Sequence, residues 1–420
     1  MSMKRSVCFS GLFLTIVMIW SVAPAVSGDW PQILGPQRDG TAVGERLADA
    51  WGAGGPREVW KRPGLGAGFA GVAVSGDTLV LFHRQGNAEV LEALHPKTGK
   101  AKWKLTIPTT FRPSFTSDDG PRCVPLIRDG RVYVFGSQGV LACVDLATGR
   151  SIWQRRTHAE FDAPEGYFGA GSSPILEGDT LMVNVGGGRS GAGIVAFQAK
   201  TGKTLWKATN EMASYSSPVA RTIAGQRHVV FITRLQAVSL NPANGDIRFA
   251  IPFGKRGPTV NGANPVLVGN KLFLSASYGV GAVYGSIGSD AFGESWRSDE
   301  LMSSQYATCV ADGGKLYGIH GRQDVGAASL RCIDPERRRI QWSQDGLSYG
   351  TLLKADGKLL ILTCTGELIL ARVDPQRYQE LARATVLQPT NRGYRLPALA
   401  AGRLYIRDDT TLKCLDLSRR

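Results

Sequence analysis

Five aromatic side chains, Phe69, Tyr215, Tyr306, Tyr349 and Tyr394, recur at one position of a repeating pattern, three residues ahead of the start of a strand. Arg122, Gly171 and Gly262 take the same position in the remaining repeats, and Phe168 and Asn261 fall close by in register. Aromatic faces with an arginine among them suit stacking on sugars, quinones or an extended peptide. The plainer alternative is that these rings fill the centre of the fold and brace its inner strands. A second set, His83 with Arg84 and His320 with Arg322, follows the second strand of its repeat and precedes a hairpin on the same face, where solvated turn residues are the ordinary case.

Other reactive side chains carry less. The five histidines are dispersed, and Asp290, Glu294, Asp299 and Glu300 in "GSDAFGESWRSDE" have no calcium-loop spacing, so no metal site is expected. Six cysteines follow Cys8, an even number that would suit disulfides in an exported protein. However, Cys143, Cys332 and Cys414 each stand two residues before an Asp in three separate repeats, too far apart to bridge one another. Cys123 and Cys309 begin inner strands and Cys364 ends a second strand. Mostly free, buried thiols are expected, with the three repeat cysteines in small, half-buried slots.

The elements that position these residues are read from a decaying repeat. "LHPKTGKAKW" ends at Trp103, "VDLATGRSIW" at Trp153, "FQAKTGKTLW" at Trp206, "LNPANGDIRF" at Phe249 and "IDPERRRIQW" at Trp342. The same register places Trp60, Trp296 and Leu381 at three further unit ends. A period of this size indicates a propeller or an array. Upstream of each turn, runs such as "SSPILEGDTLMVNVG" give an apolar strand, a Gly/Asp turn and an alternating strand, hence four short antiparallel strands per unit. Pro125, Pro174, Pro218, Pro265 and Pro397 mark inner-strand starts. The last unit has three strands and "REVWK" near the start is a lone fourth, so their pairing closes an eight-bladed, all-β propeller. In the turns, Gly99, Gly149, Gly202 and Gly245 supply positive φ, and the aromatic beyond packs between blades.

Three segments follow: a signal peptide at 1–28, an extension at 29–56 and one propeller domain at 57–420. Lys4 and Arg5 precede the short apolar stretch from Val7 to Trp20, and small residues follow it, as in a cleavable secretory signal. No later stretch is apolar for the length of a membrane helix, so a periplasmic or secreted monomer is expected. The net charge of +14 falls by two when Lys4 and Arg5 leave. What remains is scattered, with no basic helix or aromatic RNA-binding signature, and nucleic acid is not an expected partner.

The chain resembles the exported quinoprotein-like β-propeller proteins, a group related to the outer-membrane assembly lipoproteins and to the propeller of quinone-dependent alcohol dehydrogenases. The resemblance spans 29–417 and rests on "DWPQILGPQRDGTA", the "TG…W" repeats, "YSSPV" at 215–219, "SASYG" at 275–279 and "GRLYIRDD" at 402–409. Its enzyme branch implies pyrroloquinoline quinone (PQQ) with calcium, an adjacent Cys-Cys pair and a catalytic Asp; this sequence has no adjacent cysteines, and no catalytic residue is assigned. Its scaffold branch implies a rigid ring with a partner-binding face. The expectation is therefore a non-catalytic binding or scaffold module without a cofactor, holding a protein or carbohydrate partner at the aromatic mouth. A PQQ-dependent alcohol or sugar dehydrogenase is the alternative.

Overall fold

Apolar alternation, β-branched residues and a turn signal about every ten residues leave this chain little option but short antiparallel strands, and that is what forms. A computed structural model describes residues 28–116, 118–390 and 395–419; the signal-peptide reading falls almost wholly outside them. Seven four-stranded blades are continuous in sequence, at 72–108, 126–156, 175–208, 219–252, 266–298, 310–345 and 350–385. The eighth joins Ala398–Ala400, Arg403–Arg407 and Thr411–Asp416 to Arg57–Pro63, with Trp60 paired to Cys414. The inner strand of blade one touches those of blades two and eight, so the ring is closed and the blades keep only short, protected edges. Inner strands Leu126–Arg128, Ile175–Glu177, Val219–Ile223, Val266–Val268 and Ala398–Ala400 each start directly after the expected proline.

The repeat residues bind blade to blade. Each indole reaches the turn of the next blade and donates to a carbonyl there: Trp103 Nε1 to Leu146 at 2.8 Å, Trp153 to Ala199 at 2.9 Å, Trp206 to Pro242 at 3.2 Å and Trp342 to Asp374 at 2.9 Å. Trp60 Nε1 does the same across the closure, to Pro96 at 2.9 Å. The turn glycine is required twice over. Gly202 has φ +71°, and a Cβ there would lie 2.8 Å from the Trp153 ring. Gly202→Ala is expected to cost about 1–3 kcal/mol, from left-handed strain and a displaced indole together, read from urea unfolding. No loss would mean that the ring moves freely.

Blade seven departs from the expected register. A bulge at Leu381 leaves Ala382 opposite Leu370, the place that the aromatic holds elsewhere. Trp51 and Leu381 instead pack on the core shared by blades seven, eight and one and the N-terminal segment. The three repeat cysteines are fully buried rather than half-buried, since Cys143, Cys332 and Cys414 lie directly opposite Trp153, Trp342 and Trp60. All six described cysteines are free and buried.

Residues 29–48 are built into the ring as a strap. Asp29 accepts from Ser75 Oγ and Gly76 N at a blade-one hairpin, and Trp30 bridges Val74 on the inner strand. The chain turns back on itself around Leu34 to Arg38, pairs Thr41–Ala42 in parallel with Lys354 and Ala355, and ends with Glu45 accepting from Ala401 N and Gly402 N. Inside the bore Arg38 reaches the opposite side. Its guanidinium donates to the carbonyls of Pro218 at 2.7 Å, Pro174 at 2.9 Å and Ser173 at 3.2 Å, in blades three and four.

Candidate functional site

Above the strap lies a cavity of ≈ 780 Å³ into which every blade sends at least one residue, from Phe69 of blade one to Leu396 of blade eight, with Ile33 of the strap also lining it. Phe69, Arg122, Phe168, Tyr215, Tyr306 and Tyr349 all line it, as does Arg322 from the second set. Tyr394 lies outside the described residues. Asn261 does not line it: its Nδ2 is held by the carbonyls of Thr233 and Arg234 at 3.0 and 3.2 Å, and Asn264 lines the wall instead.

From blade three to blade six the ring position alternates between glycine and tyrosine for a steric reason. A Cβ on Gly171 would meet the Tyr215 ring at 2.7 Å, and one on Gly262 would meet Tyr306 at 2.9 Å. A glycine in one blade thus makes room for the aromatic of the next. The hydroxyls brace as well. Tyr215 OH accepts from Phe168 N at 3.1 Å, and Tyr349 OH accepts from Tyr306 N at 3.0 Å and Ala307 N at 3.2 Å. Burial pushes Tyr349 up to about 12, so this phenol stays neutral at physiological pH.

Two walls differ in chemistry. On one, the Arg122 guanidinium lies 5.1 Å from the Phe69 ring and 5.7 Å from that of Phe168, and Arg395 stands over Phe69 at 5.0 Å. Phe168 packs edge-on to Tyr215 at 5.5 Å, and the exposed Phe115 packs edge-on to Tyr167 at 4.9 Å. On the other, Arg322 stacks on Tyr278 at 4.4 Å and forms a forked pair with Asp324, which holds that carboxyl below the usual range. Gln305 Nε2 donates to Tyr278 OH at 2.9 Å and to Asp324 at 3.1 Å, while Tyr306 OH donates to Gln323 at 2.6 Å.

The two histidine candidates turn inward rather than lying solvated in turns. His83 Nδ1 accepts from Gly66 N at 2.9 Å, and His320 Nδ1 accepts from Ser303 N at 3.0 Å, each pinning the loop that enters its blade. Arg84 is buried and donates to the carbonyls of Phe111 and Asp119 at 2.8 and 3.0 Å. Burial pushes His320, and likewise His158 beside Phe135, down to about 4. The unfolded chain takes up these protons from about pH 6.5 downward, the folded protein only near 4. Stability is therefore full above pH 6.5 and falls as pH falls to about 4. Melting midpoints are expected to drop between pH 7 and 4.5, by less in His158→Leu; an equal drop in that variant would remove His158 as a cause.

Sequence reading missed a hydrogen-bonded belt just beneath the mouth. Val124 N donates to Ser173 Oγ at 2.9 Å, Ser173 N to Ser217 Oγ at 2.8 Å, Ser217 N to Asn264 Oδ1 at 2.7 Å and Asn264 N to Thr308 Oγ1 at 2.9 Å. The belt ties blades two to six in order. Its signal was present in "SSP", "SSP" and "NP", a short polar residue directly before the inner-strand proline. Tyr278, Gln305 and Phe115 carried no such periodic mark.

The family described as "Outer membrane protein assembly factor BamB" matches residues 44–209 and 87–344. The chain belongs to this family. Among solved structures it is similar to BamB from Moraxella catarrhalis, with 16% identity over 71% of this chain and 80% of that one and a TM-score of 0.50. The quinohemoprotein alcohol dehydrogenase ADHIIG from Pseudomonas putida HK5 gives 12% identity, 93% and 80% coverage and a TM-score of 0.54. The computationally designed Ika8 protein gives 11%, 89% and 100%, and 0.56. At such identities the likeness is one of fold. None of the curated proteins compared matches the chain.

Calcium and quinone, which the dehydrogenase likeness brings to mind, can be tested against the donor set. Calcium takes six to eight oxygen ligands, carboxylates prominent among them. Of the described residues, the cavity lining has Asp324 as its single carboxylate, already paired to Arg322. No described group of three His, Cys, Asp or Glu side chains is placed to share an ion, and Asp290 of the blade-five hairpin is paired to Arg248 at 2.9 Å. The lining does not fit a calcium-held quinone.

Proposed function

We propose that the protein is an exported, non-catalytic binding module that holds a protein or carbohydrate partner at the aromatic-lined mouth of its blind funnel. The observation that carries this reading is the chemistry of the lining. A cavity of ≈ 780 Å³ is of a size that accepts ligands, and its lining presents rings and guanidinium groups. Its one described carboxylate is paired, it has no described histidine, and burial pushes the Cys364 thiol up, away from the thiolate. Hydrolysis or proton abstraction would need a base within reach of substrate. The belt, the braces and the strap hold the walls rigid, which favours binding by a preformed surface.

Export is part of the reading. Family membership is consistent with it, and among the described residues no helix is long and apolar enough to cross a membrane. The competing enzyme reading makes a sharp demand. Protein incubated with pyrroloquinoline quinone and calcium is expected to give no dye reduction with alcohols or sugars. Turnover that depends on quinone and calcium, and that is abolished in Tyr215→Phe or Tyr306→Phe, would overturn the binding-module reading.

A further inference from the structure

Three features of the funnel narrow its ligand beyond "protein or carbohydrate". First, the hydroxyls of Tyr215, Tyr278, Tyr306 and Tyr349 are all bonded within the protein, as is the Gln305 amide. A sugar arrives with several hydroxyls per ring, and each one buried without a partner costs binding free energy. What the walls offer is mainly ring surface, beside the Asn264 Nδ2 amide, which has no hydrogen-bond partner among the described residues. Secondly, large apolar side chains stand exposed on loops of this same face. Phe115 is 62% exposed before blade two, Met212 48% before blade four and Val325 61% at the blade-six hairpin. Exposed apolar groups rimming a concave site are the usual mark of a protein-docking surface. Thirdly, the charged groups in the described lining are Arg122, Arg322 and Asp324, a net positive set.

We infer that the funnel takes an acidic polypeptide segment, which inserts an aromatic or branched aliphatic side chain among the rings while its carboxylates lie on the Arg122 wall. The rim residues cover the flanks of the inserted loop. This deepens the binding-module reading and rests on it. Burial of one large apolar side chain contributes about 1.5–3 kcal/mol, and the opposite charge of the cavity supplies the choice of flanking residues.

The test is calorimetric titration of the full protein with blocked tripeptides, Asp-Phe-Asp, Lys-Phe-Lys and Asp-Ala-Asp, and with maltotetraose and cellotetraose. Asp-Phe-Asp is expected to bind at least tenfold more tightly than either other peptide and than both sugars. Its affinity is expected to fall about tenfold in Phe115→Ala, which removes an exposed ring and leaves the fold intact, and in Arg122→Gln, and to weaken at raised salt. Failure of Asp-Phe-Asp to bind, equal binding of Lys-Phe-Lys, or tighter binding of a tetrasaccharide overturns the inference. The parent reading falls on a different measurement, the quinone-dependent turnover described above, so the two failures are distinguishable.

Discussion

Arg38→Ala is expected to lower the free energy of unfolding by about 3–5 kcal/mol, measured by urea denaturation. The guanidinium is buried in the bore, and burial, partly opposed by Cys123 and Glu177, pushes it down to about 9, which still leaves it charged at neutral pH. It is held by main-chain carbonyls of Pro218, Pro174 and Ser173, together with Gln32 Oε1 at 3.0 Å. Truncation leaves those carbonyls facing an apolar gap without a donor, and hydrogen bonds to a charged group are among the stronger ones. Arg38→Lys keeps the charge but offers one point donor in place of a fork, so it should recover less than half of the loss. A loss below about 1 kcal/mol would show that Trp30 and the 41–48 stretch hold the strap unaided.

The strap matters for the site as well as for stability. Ile33 lines the cavity and Arg38 fixes the turn that carries it, so the cavity is closed below by the chain's own N-terminal segment. That same stretch contacts inner strands, their hairpins or their leading loops in blades one, two, three, four, seven and eight. A ring of sheets joined only to neighbours can breathe by opening one seam. A strap that spans the bore resists this, because any seam that opens must also strip contacts on the far side. Loss of the Arg38 anchor should thus reach the mouth, and a variant that remains folded is expected to bind more weakly.

What the sequence disclosed follows from what repeats. The Thr-Gly turn with its Trp recurs in blades one to three, and a Trp without that turn in blades five, six and eight, because these blades meet their neighbours in the same way, and counting from them located the strands, the closing segment at 57–61, which the structure extends to Pro63, and most of the mouth. The count slipped in blade seven, where a bulge moved Ala382 into the slot assigned to Leu381. With no aromatic there, nothing in the sequence marked the bulge. The strap was legible as a family motif but not as a plug, since Arg38 meets carbonyls, which leave no side-chain signature. His83 and His320 were rightly set side by side, yet their partners are backbone amides of the preceding loops rather than anything in solvent. Asn261 and Asn264 lie three residues apart in one loop, and only the fold separates the brace from the wall.

The rings of the mouth carry two roles at once, and Tyr349→Phe separates them. The substitution keeps the ring and removes the oxygen that accepts from Tyr306 N and Ala307 N and bonds Ser304 Oγ at 3.1 Å. Ala307 and Ser304 are buried, so water cannot readily replace the lost acceptor. Orphaning these donors should cost about 2–4 kcal/mol of stability, seen as a lower urea midpoint with an unchanged slope. The loop that carries Tyr306 then loses its anchor, and Tyr306 packs against Tyr349 at 4.6 Å while its hydroxyl holds Gln323. Binding of Asp-Phe-Asp is therefore expected to weaken although no group proposed to touch the peptide has been deleted. Tyr215→Phe removes a single main-chain contact, to Phe168 N, and should cost less on both measures. If Tyr349→Phe leaves stability unchanged but abolishes binding, the hydroxyl belongs to the ligand and not to the loop.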